Sequence, residues 1–198
     1  RTHIKALGIG GTDRQVNLST VFESLFMNLS DFFNDKDTAK SLILDLKFKE
    51  FQNLEIGRND ALKKGRLDSE DISWSKAKIR LDEKEVNAKV RLKGDFLDHL
   101  ATDKWSLRVN VRSDNLGGMR KFSAQGPFTR DFHTEPLIHL VMGKKGIIFP
   151  RNYFADMAIN GKNVDLMYIE EHFDEALTEA SFRPFGPLLK YEELTGEH

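Results

Sequence analysis

Three runs in the middle of the chain alternate apolar and polar residues one by one, and this period of two constrains the fold more than any other feature. Trp74 to Leu81 and Val86 to Leu92 are the first two, split by the polar stretch Asp82-Glu83-Lys84-Glu85. The third is Trp105-Ser106-Leu107-Arg108-Val109-Asn110-Val111. Successive side chains of a strand point to opposite faces, so each run predicts a strand with one buried face. The first two predict a hairpin. Leu42, Leu44, Leu46 and Phe48 alternate with polar partners in the same way and predict an earlier strand, and Met119 to Ala124 adds another. Tyr153 to Ile159 and Val164 to Ile169 form a second hairpin, joined at Asn160-Gly161, a dipeptide suited to a tight turn.

Helical spacing falls between these strands. Glu50 to Lys64 reads as a helix that stops near Gly65, with Lys63 and Lys64 in its last turn. A second helix begins at Thr134, tolerates Pro136 in its first turn, and runs through Leu137, Ile138, Leu140 and Val141 to Gly143 or Gly146. Phe173 to Ala180 predicts a third. Residues 1–36 read as a helical leader: a loose Gly8-Ile9-Gly10-Gly11 patch, then a helix capped by Ser19 or Thr20 with Val21, Phe22, Leu25, Phe26, Leu29, Phe32 and Phe33 on one face. Its polar side lacks Lys/Arg enrichment, which favours docking on the main domain over a membrane surface. The remaining residues, 37–198, form the domain proper. The order of elements predicts an α+β fold, a mainly antiparallel sheet with helices packed on one face.

Composition narrows the function classes. Thirty Lys+Arg against 31 Asp+Glu give a formal net charge of -1, which argues against a strongly basic nucleic-acid binder. No apolar run nears the roughly 18 residues that cross a bilayer. There is no cysteine, so disulfide, zinc-ribbon and thiol chemistry are excluded. The chain opens with Arg1 rather than Met, which suggests a fragment or processed product whose signal or membrane anchor would lie upstream. The glycines at 8–11 lack the Lys-Ser/Thr ending of a P-loop and the spacing of a dinucleotide fingerprint. No Gly-x-Ser-x-Gly elbow is present.

Several charged and aromatic residues carry two readings. Lys104 and Arg108 lie four apart on one predicted strand and share a face, as do Arg91 and Lys93 on the preceding strand. Either pair suits a phosphate or an ordinary solvated strand face. Glu170 and His172 share a face without a third metal ligand in view, so a solvated strand end is preferred there. His133 and His139 do not share a helix face. Glu135 and Asp131 read first as acids at a helix N-terminus. Trp74 and Trp105 read as core packing rather than a binding surface. The doublets Arg120-Lys121 and Lys144-Lys145 read as solvated.

From about residue 42 the chain resembles the CotH family, the spore-coat-protein-H-like atypical kinases. The resemblance rests on Val90-Arg91-Leu92-Lys93-Gly94-Asp95, Lys104-Trp105-Ser106-Leu107-Arg108 and Asp131 before a helix. It continues with Gly146 through Phe149-Pro150-Arg151, then Asn160-Gly161 through Ile169-Glu170-Glu171-His172-Phe173-Asp174, and Arg183-Pro184-Phe185-Gly186-Pro187-Leu188-Leu189-Lys190. Where the second strand of the family's hairpin usually begins with a small residue, often glycine, this chain has Asp165. The family's second half, which carries the catalytic aspartate and Mg²⁺ ligands, would lie beyond His198.

The resemblance implies the N-terminal lobe of an atypical kinase that binds ATP, with Mg²⁺ in the full-length protein. Lys104 is the first phosphate-binding candidate and Lys93 the second, with Arg108 and Arg91 beside them and Glu170 and Glu171 at the hinge. No catalytic residue and no metal ligand is expected within these 198 residues. The implied reaction is transfer of a phosphoryl group to a protein hydroxyl on a secreted or cell-envelope substrate. It requires the C-terminal lobe of the same chain. The rival reading is a non-catalytic surface or envelope module of the same fold.

Overall fold

A computed structural model describes residues 40–68, 72–94, 97–111 and 114–181. The described residues all belong to one unit, residues 39–198. The helical reading of residues 1–36 and the resemblance segment Arg183 to Lys190 lie outside the described residues.

The strands are β1 (Lys40–Leu46), β2 (Ser75–Leu81), β3 (Lys84–Leu92), β4 (Leu107–Val111), β5 (Lys121–Gln125), β6 (Asn152–Ile159) and β7 (Lys162–Glu171). Three α-helices accompany them: α1 (Phe48–Lys64), α2 (Thr134–Lys144) and α3 (Glu175–Ala180). Short 3-10 turns cover Leu97–His99 and Pro127–Arg130. Every alternating run thus gives a strand, except that Phe48, the last apolar residue of the first run, instead opens α1 and is exposed, and the predicted helices from Glu50, Thr134 and Phe173 form within two residues of their expected starts. β4 begins at Leu107, later than the alternation from Trp105 predicts, so Lys104 and Arg108 do not lie on one strand.

The α+β prediction is overturned, and with it the kinase N-lobe architecture that the resemblance implied. The seven strands close into one barrel in the order β1-β2-β3-β4-β5-β7-β6, with β1 parallel to β6 and every other pair antiparallel. The correction has a physical origin. Alternation shows that a strand has a buried face but not whether the sheet edges meet, and pairing Leu42 with Met157 has no local signature. Closure satisfies edge backbone groups that an open sheet would leave exposed.

The apolar positions of the alternation fill the barrel. Leu42 and Leu44 on β1, Ile79 on β2, Val90 on β3, Leu107 and Val109 on β4, Phe122 on β5, and Met167 and Ile169 on β7 are all fully buried. α1 joins the same core through Leu54 and Ala61. It is tied to the start of β2, where Ser75 Oγ donates to Glu50 O at 2.9 Å and the Lys76 N–H donates to Glu50 Oε2 at 2.8 Å. Trp105 is partly buried against the core and stacks on Phe51 at 5.8 Å, as core packing predicts. Trp74 departs from that reading: it is 38% exposed, and Arg91 lies over its ring.

The β6–β7 turn does two jobs. Asn160 and Gly161 both have positive φ, 50° and 77°, the combination of a type I′ hairpin turn. Asn160 also reaches β1: its N–H donates to Leu44 O at 2.9 Å, and its Oδ1 accepts from Leu46 N–H at 2.7 Å. Asp165 has φ of 79°, a left-handed backbone that favours glycine and that aspartate tolerates better than most residues. The departure from a small residue at this position therefore sits where the backbone itself asks for one.

The barrel interior sets the first prediction. Phe122→Ala removes a fully buried ring from the closed barrel and is expected to destabilise the protein by about 3–5 kcal/mol in urea unfolding. Phe48→Ala, at a ring 75% exposed, should change stability by no more than about 0.5 kcal/mol. Similar losses for the two would contradict the register described here.

Candidate functional site

Closure sends the polar half of each strand to the outer wall, and the cross-strand register assembles those residues into rows. One row runs Arg91 (β3), Arg108 (β4), Ser123 (β5), Glu170 (β7) and Asn152 (β6), each directly opposite the next. The next row pairs Gln125 with Tyr168 and Tyr168 with Phe154. Lys93, just past β3, adjoins Gln125. Outward residues of a small barrel are normally solvated, yet Ser123, Gln125 and Tyr168 are buried. The segment from Pro127 to Lys144 covers them, bringing Arg130, Glu135 and His139 onto the wall.

These groups form one connected network. Lys93 Nζ donates to Gln125 Oε1 at 2.7 Å, and Gln125 Nε2 donates to Glu170 Oε2 at 3.0 Å. Lys93 lies 4.0 Å from the same carboxylate oxygen, with the two side chains 14% and 13% exposed. Arg130 spans two acids: its Nη2 is 3.5 Å from Glu170 Oε2 and its Nε is 3.1 Å from Glu135 Oε2. The second contact is an ion pair without an aligned N–H, and both atoms are left without a hydrogen bond.

The electrostatics follow from crowding charges into a half-dry wall. Burial, then the charge of Arg130, pulls Lys93 down from the ordinary 10.5 to about 8. Burial and the neighbouring Glu170 push the Glu135 carboxyl above its ordinary range. Arg108 is disfavoured as a cation by burial and by Arg91 opposite. Its Nη1 donates to His172 Nδ1 at 2.5 Å. Burial, Arg108 and Lys121 hold His172 down to about 4, so this imidazole is neutral at pH 7.

The fate of the predicted site residues divides cleanly. Lys93, Arg91, Arg108 and Glu170 come together. Lys104 does not: its Nζ donates to Asp165 Oδ2 at 3.0 Å and Leu166 O at 3.3 Å, five and four residues along β7 from Glu170. Glu171 points to the opposite face of β7 from Glu170, where it is buried and paired with Arg151 through Nε at 2.7 Å and through Nη2. Glu135 joins the cluster as well as opening α2, whereas Asp131 only accepts from Thr134 Oγ1 at 3.0 Å near the helix start. Gln125, Arg130 and Tyr168 were not predicted. Strand parity alone could have placed Gln125 and Tyr168 on the wall, but no signal marks Arg130.

Glu135, His139 and Glu170 bring one potential ligand atom each within 4.8 Å of one another. Their donors are already engaged. Glu170 Oε2 accepts from Gln125 and faces Arg130 and Lys93. The Asn152 amide nitrogen lies 2.9 Å from His139 Nδ1, and the same nitrogen donates to Pro150 O, which leaves the imidazole proton on Nε2. A dication here has to displace Arg130, so the arrangement fits a guanidinium-bridged acid pair and fits Mg²⁺ poorly. By contrast, four cations (Lys93, Arg91, Arg108 and Arg130) face two carboxylates, and the Nε atoms of Arg91 and Arg108 are buried without a hydrogen-bond partner. That excess suits an anion with several acceptor oxygens.

No protein-family model and no curated protein sequence matches this chain.

Lys93 gives this wall a pH signature. Its folded value of about 8 lies below the ordinary 10.5, so between those pH values the unfolded chain binds more protons. Stability should therefore rise with pH across that window, by about 3 kcal/mol at most. Urea midpoints measured from pH 8 to 10.5 are expected to climb for the native chain relative to Lys93→Met. Parallel profiles would mean that Lys93 is not held as a desolvated cation.

Proposed function

We propose that the wall formed by Lys93, Arg91, Arg108 and Arg130 binds the phosphates of ATP, and that the chain contributes this site to an ATP-dependent phosphotransferase acting on a protein hydroxyl. The observation that carries the reading is the excess of converging cations over carboxylates, with unpartnered guanidinium nitrogens among them. Phosphoryl transfer rests chiefly on positioning and on neutralising the phosphate oxygens. Fixed guanidinium forks and a lysine supply the neutralising half of that task. Lys93, rather than Lys104, is the phosphate-binding lysine in this reading, because Lys104 is spent on Asp165. The resemblance of Val90 to Asp95 to the CotH kinases points the same way. The Mg²⁺ would arrive with the nucleotide, and the groups that hold it and activate the acceptor would come from outside these residues.

A second reading is a non-catalytic surface or envelope module. One observation favours it: the chain from Lys93 through Gln125 and Glu170 to Arg130 and Glu135 is linked end to end, and so works as a polar clasp holding α2 against the barrel.

Titration calorimetry and thermal melting with Mg-ATP separate the two. The nucleotide reading expects saturable binding that raises Tm, weakened at least about 10-fold in Lys93→Ala and Arg108→Ala and unchanged in Lys104→Ala. Absence of binding by a folded native chain would leave the clasp as the role of the cluster.

A further inference from the structure

The barrel sorts charge by face. The outward positions of β2 to β5 are Lys76, Lys78, Arg80, Glu85, Asn87, Lys89, Arg91, Arg108, Asn110, Lys121, Ser123 and Gln125. Seven of these are cations and one is acidic, in a chain with as many acids as bases. Glu85 is already paired with Lys78 at 2.9 Å. Glu50, the nearest acid of α1, turns its carboxylate to the Lys76 backbone N–H. Among the described residues no carboxylate lies within ion-pair distance of the side chains of Lys76, Lys89, Lys121, Arg91 or Arg108.

Two registers place like charges directly opposite one another, Lys76 with Lys89 and Arg91 with Arg108. Such cross-strand pairs are unfavourable; Arg91 rests on the Trp74 ring and Arg108 is bonded to His172, but no carboxylate among the described residues offsets Lys76 and Lys89. Lys121 extends the first register on the far side of Asn110, and His172 follows through its N–H to Lys121 O. Burial first, and then the charges of Arg108 and Lys121, hold the His172 imidazole down at this end of the face. No outward position within β2–β5 is aromatic, and Trp74, just before β2, has Arg91 over its ring, so the face offers at most one ring and no series of platforms for successive bases. An extended acidic polypeptide fits better. Lys76, Lys89 and, beyond Asn110, Lys121 form one row across strands spaced about 4.8 Å apart, so a segment laid across the strands meets all three in turn.

We propose that the outer face of β2–β5, centred on Lys76, Lys89 and Lys121, docks an Asp/Glu-rich extended segment of a partner protein. This face is continuous with the cationic cluster but does not depend on nucleotide binding there.

Fluorescence anisotropy with a labelled 12-residue poly-L-glutamate tests the proposal, with oligo(dT) of equal charge as the competing probe. The native chain should bind the peptide more tightly than oligo(dT) at equal ionic strength. Lys76→Gln/Lys89→Gln/Lys121→Gln should weaken peptide binding at least about 10-fold, while Lys63→Gln on α1 leaves it unchanged. Lys89→Gln alone should weaken it in part, with a Tm equal to or above that of the native chain because a like-charge pair is relieved. Tighter binding of oligo(dT), no peptide binding, or affinity indifferent to the three lysines would each overturn the proposal. A failure of Mg-ATP binding would leave it standing.

Discussion

The parallel pairing of β1 with β6 is the contact on which the rest of the structure depends. Without it the sheet has two free edges, and the faces of β1 and β6 have no reason to differ in polarity from the rest. With it, the apolar half of every strand faces one enclosed core, and the register of each strand is fixed by the cost of turning that half outward. Asn160 is the pin. Its positive φ makes the β6–β7 turn, its N–H and Oδ1 satisfy Leu44 and Leu46 on β1, and so one residue sets both a local hairpin and a closure that spans the chain.

Once the inside is apolar, chemistry is confined to the wall. A bare wall would leave Lys93, Arg108 and Glu170 in water, where paired charges are worth little. The segment from Pro127 to Lys144 changes that by excluding solvent above Gln125 and Tyr168. Desolvation then raises the cost of every unpaired charge beneath it, which is why Glu170 gathers Gln125, Arg130 and Lys93 on a single oxygen. The same desolvation leaves Lys93 less willing to stay charged and Glu135 less willing to ionise. An incoming anion with several oxygens would favour the charged lysine and meet the unpartnered Nε atoms of Arg91 and Arg108.

Much of this fold was legible residue by residue, and the misses share one cause. Alternation located the strands, Asn160-Gly161 located a turn, and Gly65 located a helix end that is indeed left-handed. These are local signals. Closure, the covering of the wall by α2, and the meeting of Arg130 with Glu170 join residues 29 to 114 apart in the chain, and no short motif encodes them. Lys104 illustrates the boundary. Its spacing to Arg108 implied a shared strand face, but Ser106 N–H bonds to His99 O and the strand begins one residue later, so Lys104 is free to reach Asp165. Glu170 and Glu171 were a recoverable case: adjacent residues on a strand cannot serve one face, and only Glu170 has the parity of Gln125's partner Tyr168.

A net charge of -1 argues against a polyanion-binding protein only if acids and bases are mixed over the surface. Here they are not mixed. The antiparallel run from β2 to β5 takes lysine and arginine at alternate positions, whereas outward acids such as Asp156 and Glu170 fall on β6 and β7. Screening in physiological salt acts over about 8 Å, so Glu170 serves Lys93, Arg130 and Arg108 beside it but does little at Lys89 and Lys76, three and four strands away. The field that a partner meets is set by the face it approaches. Composition averages over faces, and the topology that separates them is the same closure that built the core.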